Sequence, residues 1–152
     1  MDVKKRAELI KRGSEDIITE EDLLRLVKEK KQIKAYWGTA PTGPFHMGHL
    51  ASLGKIFDMQ KAGVKTKILL ADIHAALDDL KAPWDQIKER AKYYQKCIEL
   101  SFPWDENPEF VIGSSFQLDK NYMLDVFKIA TLATVPRATR AASEVTRMKN
   151  PK

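Results

Sequence analysis

Tyr36-Trp37-Gly38-Thr39-Ala40-Pro41-Thr42-Gly43-Pro44-Phe45-His46-Met47-Gly48-His49-Leu50 reads as the end of a strand, a turn-rich loop and the start of a helix. Ile33–Gly38 is short, β-leaning and aromatic, which predicts a strand. Two prolines and a glycine between Thr39 and Phe45 predict a loop. From His46 to Ala62, the residues Met47, Leu50, Leu53, Ile56 and Phe57 fall at helical spacing, and Gly63 is placed to end that helix. A helix start of this kind offers free N–H groups and a partial positive charge, a ready place for phosphate. Gly48 lets a nucleotide approach the backbone, with no Cβ in the way. His46 and His49 lie three apart, so both can face one side of the first turn and donate to phosphoryl oxygens as charge builds there.

Outward from this stretch the alternation continues. Lys67–Ile73 is a compact apolar run bounded by charge, with the look of a buried central strand. Pro83 stands near the start of a helix over Trp84–Leu100, Glu109–Gly113 is a third short strand, and Lys120–Thr134 is a further helix. Pro136 interrupts before a last basic helix. Upstream, residues 1–32 are polar and helical, broken at Gly13-Ser14. Thr19 there is an N-cap followed by an acid at N3, ahead of an apolar stripe of Leu23, Leu24, Leu26 and Val27. Strand–helix alternation of this kind predicts an α/β fold, a Rossmann-like parallel sheet with an N-terminal helical lead-in. The expected organisation is a helical extension over 1–32, a ligand-binding half over 33–127 and a basic helical segment over 128–152. Ligands in such folds sit beyond the carboxyl ends of the strands, so the loops after Gly38, Ile73 and Gly113 are the places to look. The chain's three histidines, His46, His49 and His74, all follow predicted strands.

Composition bounds the reading. At 152 residues the chain fits one domain or most of one, and 43% hydrophobic residues are enough for a core. No apolar run approaches the roughly 20 residues of a membrane span. The charged start, Met1-Asp2-Val3-Lys4-Lys5-Arg6, is unlike a secretory signal. The single cysteine, Cys97, excludes an internal disulfide and suits a reducing cytoplasm, where it reads as a small core residue. The net charge of +5 is unevenly placed: residues 128–152 hold six basic side chains against one acid, Glu144. That stretch suits a polyanion or, equally, a solvated helix face. His46 and His49 have no third candidate ligand beside them in sequence, so no metal site is expected.

The motifs resemble a known family. Pro41 through His49 is similar to the "HIGH" signature of class I aminoacyl-tRNA synthetases, with Met47 in the variable second place. Leu69-Leu70-Ala71-Asp72-Ile73-His74-Ala75, Lys81-Ala82-Pro83-Trp84 and Gly113-Ser114-Ser115-Phe116-Gln117-Leu118-Asp119-Lys120 followed by Tyr122 resemble segments of archaeal and eukaryotic tyrosyl-tRNA synthetases. Four separated motifs in order carry far more weight than a bare His-x-x-His. The resemblance implies the HUP-type nucleotide-binding half of a catalytic domain. The family adenylates tyrosine with ATP and Mg2+, releases pyrophosphate and passes the tyrosyl group to tRNA-Tyr. By resemblance, Gly38, Thr39, Ala40, His46, Gly48 and His49 bind ATP, with His46 and His49 catalytic. Tyr36, Leu69, Ala71, His74, Phe116 and Gln117 line the tyrosine pocket. The hydroxyl of Tyr36 would meet the substrate phenol. Sites that hydrogen-bond a substrate hydroxyl, with tyrosyl synthetases among the type examples, reject the analogue lacking it by about 10⁴–10⁵. A strand residue packed in the sheet is the plainer reading of Tyr36. Asp72 either supports the site by hydrogen bonds or caps the strand end. The segment around 115–148 corresponds to the family's dimer interface and lies near the tRNA acceptor end, so Arg137, Arg140 and Arg147 are phosphate, interface or solvent residues.

The second signature, a Lys-Met-Ser-Lys-Ser-type loop, has no counterpart, since Met148-Lys149-Asn150-Pro151-Lys152 holds no serine. The expectation is therefore half of a phosphate clamp, with weak binding and little turnover by these residues alone. Three rivals stand beside this reading. One is a small nucleotidylyltransferase sharing the Gly43…His46-x-Gly48-His49 pattern. Another is a tryptophanyl synthetase, against which Tyr36 and Ala71–Ala75 speak. The third is a non-catalytic truncated paralogue that dimerises or binds RNA.

Overall fold

The computed structural model describes residues 2–30, 32–77 and 82–146, with side chains through residue 143. In chain order the elements are α1 (Val3–Lys11), α2 (Glu20–Glu29), β1 (Ile33–Thr39), α3 (Met47–Lys61), β2 (Val64–Leu70) and α4 (Asp72–Leu77), then α5 (Ile87–Ser101), β3 (Glu109–Ile112), α6 (Ser114–Gln117), α7 (Lys120–Leu132) and α8 (Val135–Thr146). They form two units, Met1–Ser114 and Ser115–Lys152. No helix among the described residues is long and apolar enough to cross a membrane.

The first unit is built on a parallel sheet in the order β1-β2-β3. Ile33 pairs with Val64 and Thr39 with Leu70, while Lys67 pairs with Glu109 and Leu70 with Ile112. The expected Rossmann-like α/β architecture is therefore present. One sheet face is covered: Ile68 and Leu70 join Leu53 and Ile56 of α3 and Ala91, Tyr94 and Ile98 of α5 in the main core. A second cluster of Ile10, Val27, Ile33, Ala62 and Val64 ties the N-terminal helices to the sheet. Polar contacts close the same seam. Arg6 Nε donates to the Ala62 carbonyl at 2.8 Å, and Lys55 Nζ donates to the Arg12 carbonyl at 2.7 Å, which satisfies acceptors left over at helix ends. Thr19 caps α2 by accepting from Asp22 N–H at 3.3 Å, as its sequence predicts. Gly63, at φ +73°, ends α3 in the conformation that favours glycine.

The other sheet face presents Lys34, Tyr36, Lys65 and Lys67 to solvent. This corrects the reading of the second strand. It starts at Val64, three residues before the expected Lys67, and ends at Leu70 instead of Ile73. Val64-Lys65-Thr66-Lys67 alternates because only one side is covered there, so an apolar-run criterion misses it. Asp72-Ile73-His74 belongs to α4, where Ala75 and Ala76 are buried beside Ala82 and Ile87. The helix expected from Trp84 begins at Ile87, after a turn in which Gln86 N–H meets the Pro83 carbonyl at 3.0 Å. A short α6 also stands where a loop was expected.

The second unit is helical. Asp119 caps α7 through Asn121 N–H at 2.8 Å and Tyr122 N–H at 3.3 Å. Pro136 sits in the first turn of α8, where a missing N–H costs nothing.

Candidate functional site

The loop after β1 turns tightly across Pro41, with Thr42 N–H bonded to the Ala40 carbonyl at 2.8 Å. Pro41 is fully buried. The chain then reaches His46, which is the N-cap of α3, with Met47, Gly48 and His49 as its first turn. The two histidines cap the helix themselves. Gly48 N–H donates to His46 Nδ1 at 3.1 Å, and His46 N–H donates to His49 Nδ1 at 3.2 Å. His49 N–H returns to the His46 carbonyl at 3.0 Å. The helix start is thus less open than the sequence suggests, because an imidazole occupies the Gly48 amide. The cap also has a chemical consequence. A His46 ring that accepts at Nδ1 carries its proton on Nε2, so it offers a donor away from the helix. His49 Nδ1 lies equally near the His46 carbonyl, at 3.2 Å, and its role in the box is that of acceptor.

Aromatic contacts fix the pair. Their rings are 4.2 Å apart. Phe45 stacks on His49 at 4.7 Å, and Tyr94 meets both Phe45 and His49 edge-on, at 5.7 and 5.4 Å. Tyr94 belongs to α5, and that helix holds the loop by hydrogen bonds. Arg90 Nη1 donates to the Thr42 carbonyl at 3.0 Å, Tyr94 Oη donates to the Gly43 carbonyl at 3.0 Å, and Tyr93 Oη accepts from Phe45 N–H at 3.2 Å. Burial pushes the Tyr94 hydroxyl above the ordinary tyrosine pKa. Sequence reasoning missed Arg90, Tyr93 and Tyr94. The available signal was their spacing, i, i+3 and i+4, which puts two phenols and a guanidinium on one side of a helix.

The carboxyl ends of the strands are laced together in steps. The Thr39 carbonyl accepts from Ala71 N–H at 2.9 Å, and the Leu70 carbonyl from Gly113 N–H at 2.9 Å. Asp72 Oδ1 then accepts from Ser114 N–H at 2.8 Å. Gly38 pairs with Leu69 in register, and a Cβ at Gly38 would lie 3.5 Å from the Leu69 Cβ, so Gly38 is in ordinary contact range of Leu69. Thr39 ends β1, Ala40 follows it and packs on the Ala75–Ala76 cluster, and Ala71 joins β2 to α4. Tyr36 is 80% exposed on the open sheet face, so it is not packed in the sheet. The concavity beside it is lined by Lys34, Ala35, Tyr36, Lys65, Lys67 and Glu109. His74 is exposed on α4. The structure therefore gathers Gly38, Thr39, Ala40, Leu69 and Ala71 at adjacent strand ends, with His46, Gly48 and His49 at the start of α3. Phe116 and Gln117 lie in α6 within the second unit, where the Phe116 ring meets Tyr122 edge-on at 5.4 Å. Lys81 and Arg147 lie outside the described residues. Among the described residues no three His, Cys, Asp or Glu side chains are grouped as metal ligands.

Comparison with known proteins agrees with this geometry. Residues 28–152 match the family described as tRNA synthetases class I (W and Y). The chain is 41% identical over 150 residues to a tyrosine–tRNA ligase of Archaeoglobus fulgidus, covering 98% of this chain and 46% of the relative. It is 44% identical over 147 residues to that of Methanococcoides burtonii, covering 95% of this chain and 46% of the relative. A crystal structure of the tyrosyl-tRNA synthetase from A. fulgidus complexed with L-tyrosine superposes with a TM-score of 0.88 at 39% identity, covering 97% of this chain and 46% of that one. The chain thus spans about half the length of the curated relatives it matches.

Proposed function

The chain belongs to the class I tRNA synthetases that serve tryptophan and tyrosine, and from that premise we propose that it forms the ATP- and tyrosine-binding part of a tyrosine–tRNA ligase. The observation that carries this reading is the self-capped turn at His46 and His49, held by α5 just beyond the carboxyl end of β1. In the proposed reaction a carboxylate oxygen of tyrosine attacks the α-phosphorus of ATP and pyrophosphate leaves, giving tyrosyl-adenylate. The tyrosyl group then passes to a hydroxyl at the 3′ end of tRNA-Tyr, and AMP leaves. Nothing covalent is asked of the protein in the first step. The Nε2 donors of His46 and His49 stabilise the charge that grows on the phosphoryl oxygens. Gly38, Thr39 and Ala40 supply backbone beside the nucleotide, and Gly48 leaves room for its phosphates. Magnesium enters with ATP.

Tyrosine is preferred over tryptophan as the substrate because Tyr36 offers a phenolic partner on the open face of β1 and because the relatives named above are tyrosine ligases. Leu69, Ala71, His74, Phe116 and Gln117 complete the amino-acid pocket in this reading. The exposed Leu124, Phe127, Ile129 and Leu132 of α7 favour a homodimer through the 115–148 segment. The exposed Arg137 and Arg140 of α8 suit the phosphates of tRNA. The compartment of this reading is the cytoplasm.

ATP–pyrophosphate exchange, run in parallel with tyrosine and tryptophan, tests the proposal. Exchange that depends on tyrosine alone is expected, at a low rate for these 152 residues by themselves. Exchange driven by tryptophan would overturn the substrate assignment.

A further inference from the structure

We infer that Asp72 is a positioning residue, whose buried side chain clamps the start of α4 to Ser114 and thereby fixes Ala71 and His74 beside it. Asp72 has no solvent exposure. Its Oδ1 accepts from Ser114 N–H at 2.8 Å, across 42 residues of sequence. Ser114 opens α6, and its N–H is one of the donors that a helix start leaves unpaired. The residue before Ser114 is Gly113, which has no side chain to offer an acceptor. Asp72 supplies that acceptor from the start of α4. The bond also continues the stepped ladder from Thr39 to Ala71 and from Leu70 to Gly113, at the point where β2 has already turned into α4 and has no strand carbonyl left to give.

A strand cap at the surface would cost little and hold little. Here the carboxylate is fully desolvated, and Oδ2 has no hydrogen-bond partner among the described residues. Burying such a group is unfavourable unless the bond it makes is strong. The bond to Ser114 N–H offsets that burial. The neighbours give that bond a function. Ala71 and His74 flank Asp72, and Phe116 and Gln117 follow Ser114 by two and three residues. On the proposed tyrosine reading, on which this inference rests, Ala71 and His74 beside the bond contact the substrate.

The test compares Asp72→Ala, Asp72→Asn and Ser114→Pro in the 152-residue chain. Proline removes the donor without touching Asp72 and is tolerated at a first helical position. Two readouts are used: amide hydrogen exchange at Ser114–Gln117 by NMR, and separate titrations with L-tyrosine and ATP. Asp72→Ala is expected to speed exchange at Ser114 by about tenfold or more and to weaken tyrosine by a similar factor, with ATP unchanged. Ser114→Pro should weaken tyrosine alike, while Asp72→Asn, which keeps an acceptor, should lie near the parent in both readouts. Unchanged exchange at Ser114 in Asp72→Ala, or unchanged tyrosine binding in both Asp72→Ala and Ser114→Pro, overturns the inference. If Asp72→Ala does not fold, the Ser114→Pro titration decides. If the parent chain binds no tyrosine, the substrate reading fails separately, and exchange at Ser114 in Asp72→Ala and Asp72→Asn still decides whether the clamp exists.

Discussion

The Tyr94 hydroxyl donates to the Gly43 carbonyl at 3.0 Å, joining residues 51 apart in sequence from a side chain that is 1% exposed. This bond lets α5 hold the loop that delivers His46 and His49. Tyr94→Phe keeps the ring that meets Phe45 and His49 edge-on and removes only the hydroxyl. The expected stability loss is about 1 kcal/mol, read as a lower urea midpoint at unchanged slope. Adenylation should fall further than that loss explains, because Gly43 is freed next to the catalytic turn. An exchange rate equal to the parent's would show that Arg90 and Tyr93 hold the loop without help.

The same residue gives an alkaline pH dependence. Burial raises the folded pKa of Tyr94 above its unfolded value. Its contribution is therefore complete below the ordinary tyrosine pKa of about 10 and is lost as pH rises from there through the higher folded value. Ultraviolet titration should show a late-ionising tyrosine that is missing in Tyr94→Phe. A titration curve with the same late step in both proteins would assign the shift elsewhere.

Gly48→Ala separates stability from chemistry. A Cβ at position 48 would stand 2.9 Å from His46 Cε1 and 3.0 Å from its Nδ1. The His46 ring is exposed and can swing away, and alanine gains up to about 1 kcal/mol over glycine within a helix. Thermal stability should stay near the parent's, the alanine gain offsetting the lost His46 cap, while tyrosine-dependent exchange drops, because the displaced ring no longer aims Nε2 at the phosphates. Full activity in this variant with its His46 ring still bonded to the amide of residue 48 would remove the packing argument.

Legibility in the sequence followed the range of the interactions. The β1–loop–α3 stretch was readable because its signals are local: a β-leaning run, prolines, glycine and helical spacing. Gly63 and Thr19 were readable for the same reason, since a cap is made within a few residues. The span of β2 was misread because alternation and an apolar run compete as strand signals, and this strand has one open face. Arg90, Tyr93 and Tyr94 were passed over because their partners lie 48 to 51 residues away, and nothing in α5 itself announces them. Asp72 stayed undecided for a similar reason. Its partner is a backbone N–H, and every residue but proline has one.

Tyr36→Phe tests the amino-acid side. The side chain is 80% exposed, so stability should move by no more than about 0.5 kcal/mol. Tyrosine affinity should fall by roughly tenfold, the loss of one hydrogen bond to a substrate hydroxyl, and discrimination against phenylalanine should shrink with it. Parallel binding measurements with the two amino acids read both quantities. Selectivity equal to the parent's would mean that another group reads the phenol.

Phe127→Asp addresses assembly. Phe127 is 61% exposed on α7, in a helix whose Leu124, Ile129 and Leu132 are exposed as well. A charge placed in that apolar surface should shift a dimer to monomer in sedimentation without unfolding the first unit. A parent chain that already sediments as a monomer at high concentration would remove the homodimer from the proposal.

His49→Ala decides between a phosphate role and a merely architectural one. His49 accepts from His46 N–H, stacks on Phe45 and faces Tyr94, so its loss removes a cap as well as a donor. A cap lost from an N-terminus costs about 1 kcal/mol, which lowers stability modestly. If the imidazole acts on the phosphates as charge develops, the variant should also lose about a hundredfold or more in adenylation rate while tyrosine affinity stays near the parent's. His49→Asn separates the two contributions, because its side-chain oxygen can still accept from His46 N–H. Restored stability with the rate still depressed assigns His49 to the transition state. Restored stability together with a restored rate would reduce it to a cap, and the phosphate assignment would then pass to His46 alone.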